Sequence, residues 1–174
     1  TQNLVDAFFT RNGLPIDEDP SYVAQGYSTE DVHYPNTAWT RSNSKEVKGL
    51  VTEAGTPNMY CNREPRFYVS ILWHREYSTQ MKGFVDFLYG GANGGPTYDS
   101  PQCGYLMRKR QHPQATEIGN QNHPYRHGII FRLGEFYLSY AEALNEYYGA
   151  AGHAEALTYL NAIRERAGIP AYNG

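Results

Sequence analysis

Tyr22, Tyr27, His33, Tyr34, Trp39 and Arg41 fall close together in a polar stretch interrupted by prolines. Trp73, His74, Arg75 and Tyr77 follow an apolar segment where it exits to solvent. These side chains share one chemistry. A phenol or indole ring offers a flat apolar face with a polar edge, and a pyranose offers C–H faces bordered by hydroxyls. Stacking, with hydrogen bonds from Arg41, Asn36 and Asn43, would hold a sugar without altering it. Each bound hydroxyl exchanges water for a protein partner at little net gain, so such sites are weak. The candidate carbohydrate contacts are Tyr22, Tyr27, Tyr34, Trp39, Arg41, Trp73 and Tyr77. A structural use of the same rings competes at each position: Trp39 can anchor its loop to a core, and Trp73 can end a core strand.

Covalent and acid–base chemistry find less support. Glu135, Glu142 and Glu146 recur on one helical face. A glycosidase needs two carboxyls flanking the scissile bond, one of them with a raised pKa. Glutamates on a polar helix face are instead solvated or paired with Arg132 or Arg164. His123 and His127 have the i, i+4 spacing of a metal pair, but Pro124 breaks the helix that would align them, and no HExxH sequence is present. Asp17, Glu18 and Asp19 form an acidic bend without the alternating oxygen ligands of a calcium loop. The glycines of residues 90–95 lack the Lys and following helix of a phosphate cradle. Cys61 and Cys103 have no metal spacing and read as two buried thiols or one disulfide. No cofactor is expected, and no catalysis.

The elements that position these residues are clearest near the C-terminus. Leu133, Phe136, Tyr137, Tyr140, Ala141 and Leu144 recur with helical period, predicting a helix over 131–146. Ala156, Leu157, Leu160, Ile163 and Ala167 predict a second over 153–167, ended by Gly168 as a left-handed cap and by Pro170. A short Gly-Ala-Ala-Gly hinge makes the pair an αα-hairpin, the unit of helical-repeat scaffolds. Elsewhere the pattern predicts a short helix or turn over 1–9 and a helix over 42–52 with Ser44 as N-cap. Residues 63–73 read as a strand by composition, although Pro65 also suits the first turn of a helix. A strand is expected over 81–89, a flexible glycine loop over 90–96, and irregular chain over 97–128. The fold class that results is mainly α: a TPR-like hairpin (129–174) packed against a loop-rich, aromatic-rich ligand-binding region (1–128) with a few short helices and strands.

Bulk properties narrow the classes. Sixteen of 174 residues are Tyr, with seven Phe and two Trp, while only 19% are charged. The mean hydropathy is −0.65. Polarity without charge, together with so many rings, argues against disorder. The net charge of −3 argues against a nucleic-acid binder, which needs a basic face. No apolar run approaches the ~20 residues of a membrane span. Thr1 begins without Met or a basic leader, which points to a processed chain or a fragment.

Five segments, in order, resemble the SusD/RagB-like outer-membrane glycan-binding lipoproteins of Bacteroidetes. They are residues 1–8 with 12–16, then 63–71 (Arg-Glu-Pro-Arg-Phe-Tyr-Val-Ser-Ile), 104–109, 132–146 (Arg-Leu-Gly-Glu-Phe-Tyr-Leu-Ser-Tyr-Ala-Glu-Ala-Leu-Asn-Glu) and 161–168. The last two are the specific ones. Glu64 replaces the usual Asp. Gly134 stands where Ala is common, and since glycine inside a helix costs about 1 kcal/mol, close helix packing is expected there. Arg63 and Arg66 are expected to pair with acidic groups or cap backbone carbonyls. The resemblance implies a non-catalytic cell-surface protein that captures oligosaccharide beside a SusC-like TonB-dependent transporter. It also implies a location on the extracellular face of the outer membrane, and a lipid anchor upstream, with this chain as the C-terminal portion. A protein–protein scaffold that docks the transporter, with little sugar affinity of its own, is the alternative.

Overall fold

In the computed structural model, which describes residues 2–34, 43–78, 81–95, 101, 103–108 and 127–173, the segment around Arg63 organises the first of two units, Thr1–Lys109. Pro65 opens helix α2 (Pro65–Ser70), where its missing N–H leaves no bond unmade. The chain becomes extended at Ile71 (φ −117°, ψ 137°) and runs directly into strand β3 (Ile71–Trp73). Both readings of residues 63–73 therefore hold, one after the other. Strand β3 pairs antiparallel with β6 (Tyr105–Met107), with Leu72 opposite Leu106.

Helix α1 (Gln2–Asp6) docks Val5 into this centre. The core holds Tyr34, Tyr60, Phe67, Tyr68, Trp73 and Tyr105 with few aliphatic residues. The rings meet mostly edge to face: Phe67 with Tyr68 at 5.2 Å, and Tyr68 with Trp73 at 5.1 Å. Arg63 is fully buried among them. Its guanidinium donates to the carbonyls of Val5 (2.6 Å), Phe8 (2.7 Å) and Met59 (3.0 Å) and lies 4.9 Å from the Phe67 ring. Glu64 accepts from the Phe9 N–H at 3.0 Å and from Arg66 at 2.6 Å. The expected carbonyl capping and acid pairing of Arg63 and Arg66 are both present.

Strands β1 (Val32–His33) and β2 (Leu50–Thr52) pair antiparallel with an irregular register, and β4 (Tyr77–Ser78) with β5 (Gly83–Phe84) forms a hairpin. Over the described part of 42–52 the predicted helix is absent. The Asn43 carboxamide oxygen accepts from the N–H of Lys45 (3.2 Å) and Val47 (3.0 Å), Glu46 takes φ 53°, and the chain enters β2 after Gly49. An Asx-type turn outcompeted the weak apolar pattern. Only Gly83–Phe84 of the expected 81–89 strand forms, because Lys82 at φ 51° turns the chain beforehand. Gly94 packs where a Cβ would lie 1.8 Å from the Leu88 carbonyl oxygen, so the described part of the glycine loop is a tight turn. Cys61 and Cys103 are free thiols, and only Cys61 is buried, which corrects the expectation of two buried thiols or a disulfide.

The second unit is Arg110–Gly174, and its described residues, 127–173, are mostly helical. Helix α3 (Leu133–Tyr148) and helix α4 (His153–Ala167) are joined by a 3-10 turn, Gly149–Gly152. Gly168 caps α4 at φ 77°, its N–H returning to the Arg164 and Glu165 carbonyls, as its position predicts. Ala141, Leu144 and Ala156 form the inter-helix core with Tyr159 against it. At Gly134 a Cβ would stand 3.2 Å from Ile163 Cδ1, the close packing expected there. Arg164 is buried, donates to the Pro170 carbonyl at 2.8 Å and lies 3.6 Å from the Tyr172 ring centroid. Helix thus dominates the described part of this unit, while that of the first is short helices, short strands and loops around a ring-filled core. The chain as a whole is partly helical with few strands rather than mainly α.

Candidate functional site

A polar cleft of about 410 Å³ opens in the first unit, between the segment 26–33 and the turn at Asn58. Two backbone strips build it. Tyr27 bridges antiparallel to Pro57. On either side, the Ser28 N–H donates to the Thr56 carbonyl (2.8 Å) and the Asn58 N–H to the Gly26 carbonyl (3.0 Å). Gly26 serves this arrangement at φ 79°, with its α-carbon face against the Asn58 carboxamide. Tyr27 therefore stands on fixed backbone while its side chain remains 57% exposed at the lip of the cleft.

The opposite wall carries Arg11 and Asn62. The Arg11 guanidinium carbon lies 4.6 Å from the Tyr34 ring centroid, and the group donates to the Asn62 side-chain oxygen at 3.3 Å. Asn62 holds φ 53°, a left-handed conformation that asparagine tolerates. The Asn58 amide group donates to the Gln25 carbonyl at 2.7 Å. Asp31 also lines the cleft, with its carboxylate taken up by the Ala54 N–H (3.0 Å) and Lys45 (2.5 Å), which holds its pKa below the usual carboxylate range. One exposed ring, planar amide and guanidinium donors, and carboxylate acceptors around a water-accessible space suit a ligand with many hydroxyls.

The predicted contacts divide. Tyr27 is at this cleft. Tyr22, half-buried, lines a smaller adjoining cavity of about 90 Å³ that shares Ser28, Asn58 and Asn62 with it, and the Arg63 guanidinium carbon lies 5.5 Å from its ring centroid. Tyr34 is 5% exposed and lies beneath Arg11, outside the lining of the cleft. Its hydroxyl donates to the Arg63 carbonyl at 2.5 Å, and burial pushes its pKa up to about 12. It supports Arg11 and offers no open face.

Trp73 is corrected from candidate contact to core residue: it is 1% exposed, wedged against Tyr68 and Phe67. Its neighbours make contacts of their own within the unit, Tyr77 while still half-buried. His74 Nδ1 accepts the Phe87 N–H at 3.1 Å, and burial lowers its pKa despite nearby Asp86. Arg75 lies 4.3 Å from the Phe84 ring centroid, and Tyr77 meets the same ring edge to face at 5.6 Å. Trp39 and Arg41, with Asn36, lie outside the described residues, as does His123. Among the described residues, no three His, Cys, Asp or Glu side chains gather at metal-binding distance. Arg11, Asn58 and Asn62 are not singled out by the sequence pattern.

Comparison with known proteins fits this architecture. The SusD family model matches residues 1–173, and the chain belongs to the SusD family. Solved structures of BT4246 match with TM-scores of 0.67, for its selenomethionine form, and 0.66, both at 22% identity, covering 99% of this chain and 28% of that one. A SusD-like protein, BF3747, from Bacteroides fragilis NCTC 9343 matches at 28% identity with a TM-score of 0.52, covering 100% of this chain and 29% of that one. The chain therefore spans less than a third of the length of these relatives. No curated protein sequence matches it.

Proposed function

We propose that this chain is part of a non-catalytic glycan-capturing protein and that the Tyr27–Arg11 cleft is a point of saccharide contact. SusD family members are glycan-binding accessory proteins of nutrient uptake at the bacterial surface. The observation that carries the reading is Tyr27, an exposed ring on hydrogen-bonded backbone at the edge of a polar cleft. In this proposal residues 1–128 bind ligand, with Trp39 and Arg41 as further contacts. Residues 129–174 are a scaffold hairpin of TPR-like repeat type. The ligand is an oligosaccharide passed to a SusC-like TonB-dependent transporter, on the outer face of the outer membrane. Among the described residues no helix is long and apolar enough to cross a membrane, and a lipid anchor upstream would serve that location. A transporter-docking scaffold is the second reading, favoured by the exposed apolar residues of α3.

Affinity electrophoresis against a polysaccharide panel separates the two readings, since only glycan capture predicts retardation. Tyr27→Ala should weaken retardation by about three- to tenfold, the worth of one stacked ring, with an unchanged melting temperature. Equal retardation of the wild type and Tyr27→Ala would remove this cleft from the proposal.

A further inference from the structure

The small cavity of about 90 Å³ beside the Tyr27–Arg11 cleft has a chemistry of its own. It shares Ser28, Asn58 and Asn62 with the cleft and adds the Tyr22 ring, Val23 and the buried Cys61 thiol as apolar surface. Two carboxamides therefore line both spaces. Asn58 Nδ2 donates to the Gln25 carbonyl at 2.7 Å, and Asn62 Oδ1 accepts from Arg11 at 3.3 Å. A carbonyl only accepts and a guanidinium only donates, so these bonds fix which end of each carboxamide is oxygen. One acceptor, Asn58 Oδ1, and one donor group, Asn62 Nδ2, are left without a partner among the described residues. Size narrows what could use them. A cavity of roughly 15 Å³ holds one water, and one of roughly 150 Å³ holds a benzene ring. A space of about 90 Å³ exceeds what a hydroxyl fills and is too small for a pyranose.

Resting on saccharide capture at this cleft, we propose that the side cavity takes the acetamido group of an N-acetylated hexosamine, so that the cleft selects acetamido sugars over plain hexoses. An acetamido group carries one N–H donor, one carbonyl acceptor and one methyl. Its N–H matches Asn58 Oδ1, its carbonyl matches Asn62 Nδ2, and its methyl belongs against Tyr22, Val23 and Cys61. The sugar ring stays in the larger cleft, with Tyr27 at the lip. Other substituents match less completely. A hydroxyl leaves the apolar wall unfilled, an O-acetyl ester has no N–H for Asn58, and a carboxylate has neither methyl nor donor. The two carboxamides stand on bonded backbone: the Asn58 N–H donates to the Gly26 carbonyl at 3.0 Å, and the Asn62 carbonyl accepts from the Arg11 N–H at 2.7 Å. Little ordering is then left for binding to impose.

The test is an NMR titration of the 19.7 kDa chain with the methyl glycosides of N-acetylglucosamine, N-acetylgalactosamine, glucose and galactose, with saturation transfer to each ligand. At least one acetamido glycoside should bind about tenfold tighter than its plain counterpart, the worth of one buried methyl and one hydrogen bond. Its acetyl methyl should be the most strongly saturated resonance. Asn62→Asp keeps the acceptor for Arg11 and tolerates φ 53°, but puts a second oxygen where the donor was. It should cut the preference to about twofold or less. Val23→Phe, at an exposed position outside the lining of the larger cleft, should narrow the side cavity and cut the preference likewise. Equal affinity for acetamido and plain glycosides would overturn the selection and leave glycan capture standing. A preference that survives both variants would overturn the assignment to this cavity. If no acetamido glycoside binds, the assignment falls, and retardation on the polysaccharide panel decides separately whether capture stands.

Discussion

The two units use the same residue types in opposite ways. In Thr1–Lys109 most core rings turn inward, around a guanidinium whose two terminal nitrogens donate to backbone carbonyls, while Tyr27 stays exposed beside a polar cleft. In Arg110–Gly174 a thin core of alanines and one leucine joins two helices, while leucine, phenylalanine and tyrosine cover the outside. The first unit has few regular hydrogen bonds to define its path, so side-chain-to-backbone bonds from Arg63, Glu64, Asn43 and Asp19 take that role. Over α3 and α4 the second has its backbone satisfied by helix, so the rings there are available for contact elsewhere.

Arg63→Ala breaks this contrast most severely. It leaves the carbonyls of Val5, Phe8 and Met59 buried without their donor and opens a void among the rings. The expected cost is about 3–5 kcal/mol, read as a lower denaturant midpoint by tryptophan fluorescence. A loss under 1 kcal/mol would mean that water or a rearranged loop replaces the guanidinium, and that the first unit is not organised around it.

Gly152→Ala probes the helical unit. The new Cβ would lie 2.6 Å from the Leu144 carbonyl oxygen, which α3 holds in place. Separating the helices at that turn should cost about 1–3 kcal/mol, seen as a lower melting temperature of the helical circular dichroism signal. An unchanged melt would show a more pliant hairpin than the turn geometry implies.

Acid tests the polar wiring of the first unit. Hydrogen bonds from Ser21 and Thr10 bring the Asp19 pKa down from 3.8 to about 2. A lowered folded-state pKa contributes stability that is present above pH 4 and lost as pH falls toward 2. The wild type should therefore lose stability over that interval, and Asp19→Asn should lose less of it. Parallel curves of urea midpoint against pH for the two proteins would remove Asp19 from the wiring.

How far the sequence foretold this structure follows from the same contrast. Helix α4 lies where the pattern placed it, and α3 is shifted by two residues, because a period of 3.6 and a glycine cap are local signals. The helical period could not divide one broad stripe between α4 and solvent; that division appears only once Tyr137, Ala141 and Leu144 meet their partners. In the first unit, composition favours a strand over 63–73 and Pro65 a helix start; each holds for part of the segment, and neither could announce a six-residue helix ahead of a three-residue strand. The cleft was half legible. Tyr27 stood out as a ring in polar chain, whereas Arg11, Asn58 and Asn62 join it only because 26–28 bonds to 55–58, a pairing too short to leave a periodic trace. Trp73 was misjudged because its exit-to-solvent position in sequence is closed over by Phe67 and Tyr68.

The smallest expected effect concerns Gly134, the one departure from the family pattern that lies in a helix. Replacing it with Ala has two opposed consequences. Helical preference gains up to about 1 kcal/mol in a helix interior, and less here because Gly134 is the second residue of α3. Against that, the Cβ would come within 3.2 Å of Ile163 Cδ1, the far end of a side chain that can yield by a few tenths of an ångström. The two terms should nearly cancel, leaving Gly134→Ala within about 0.5 kcal/mol of the wild type, while Gly134→Leu, whose branched chain cannot fit beside Ile163, should cost about 1–3 kcal/mol. Thermal unfolding followed by helical circular dichroism distinguishes the cases. Equal stability of the Ala and Leu variants would mean that the helices do not touch at this point, and that the glycine is tolerated rather than required by their approach.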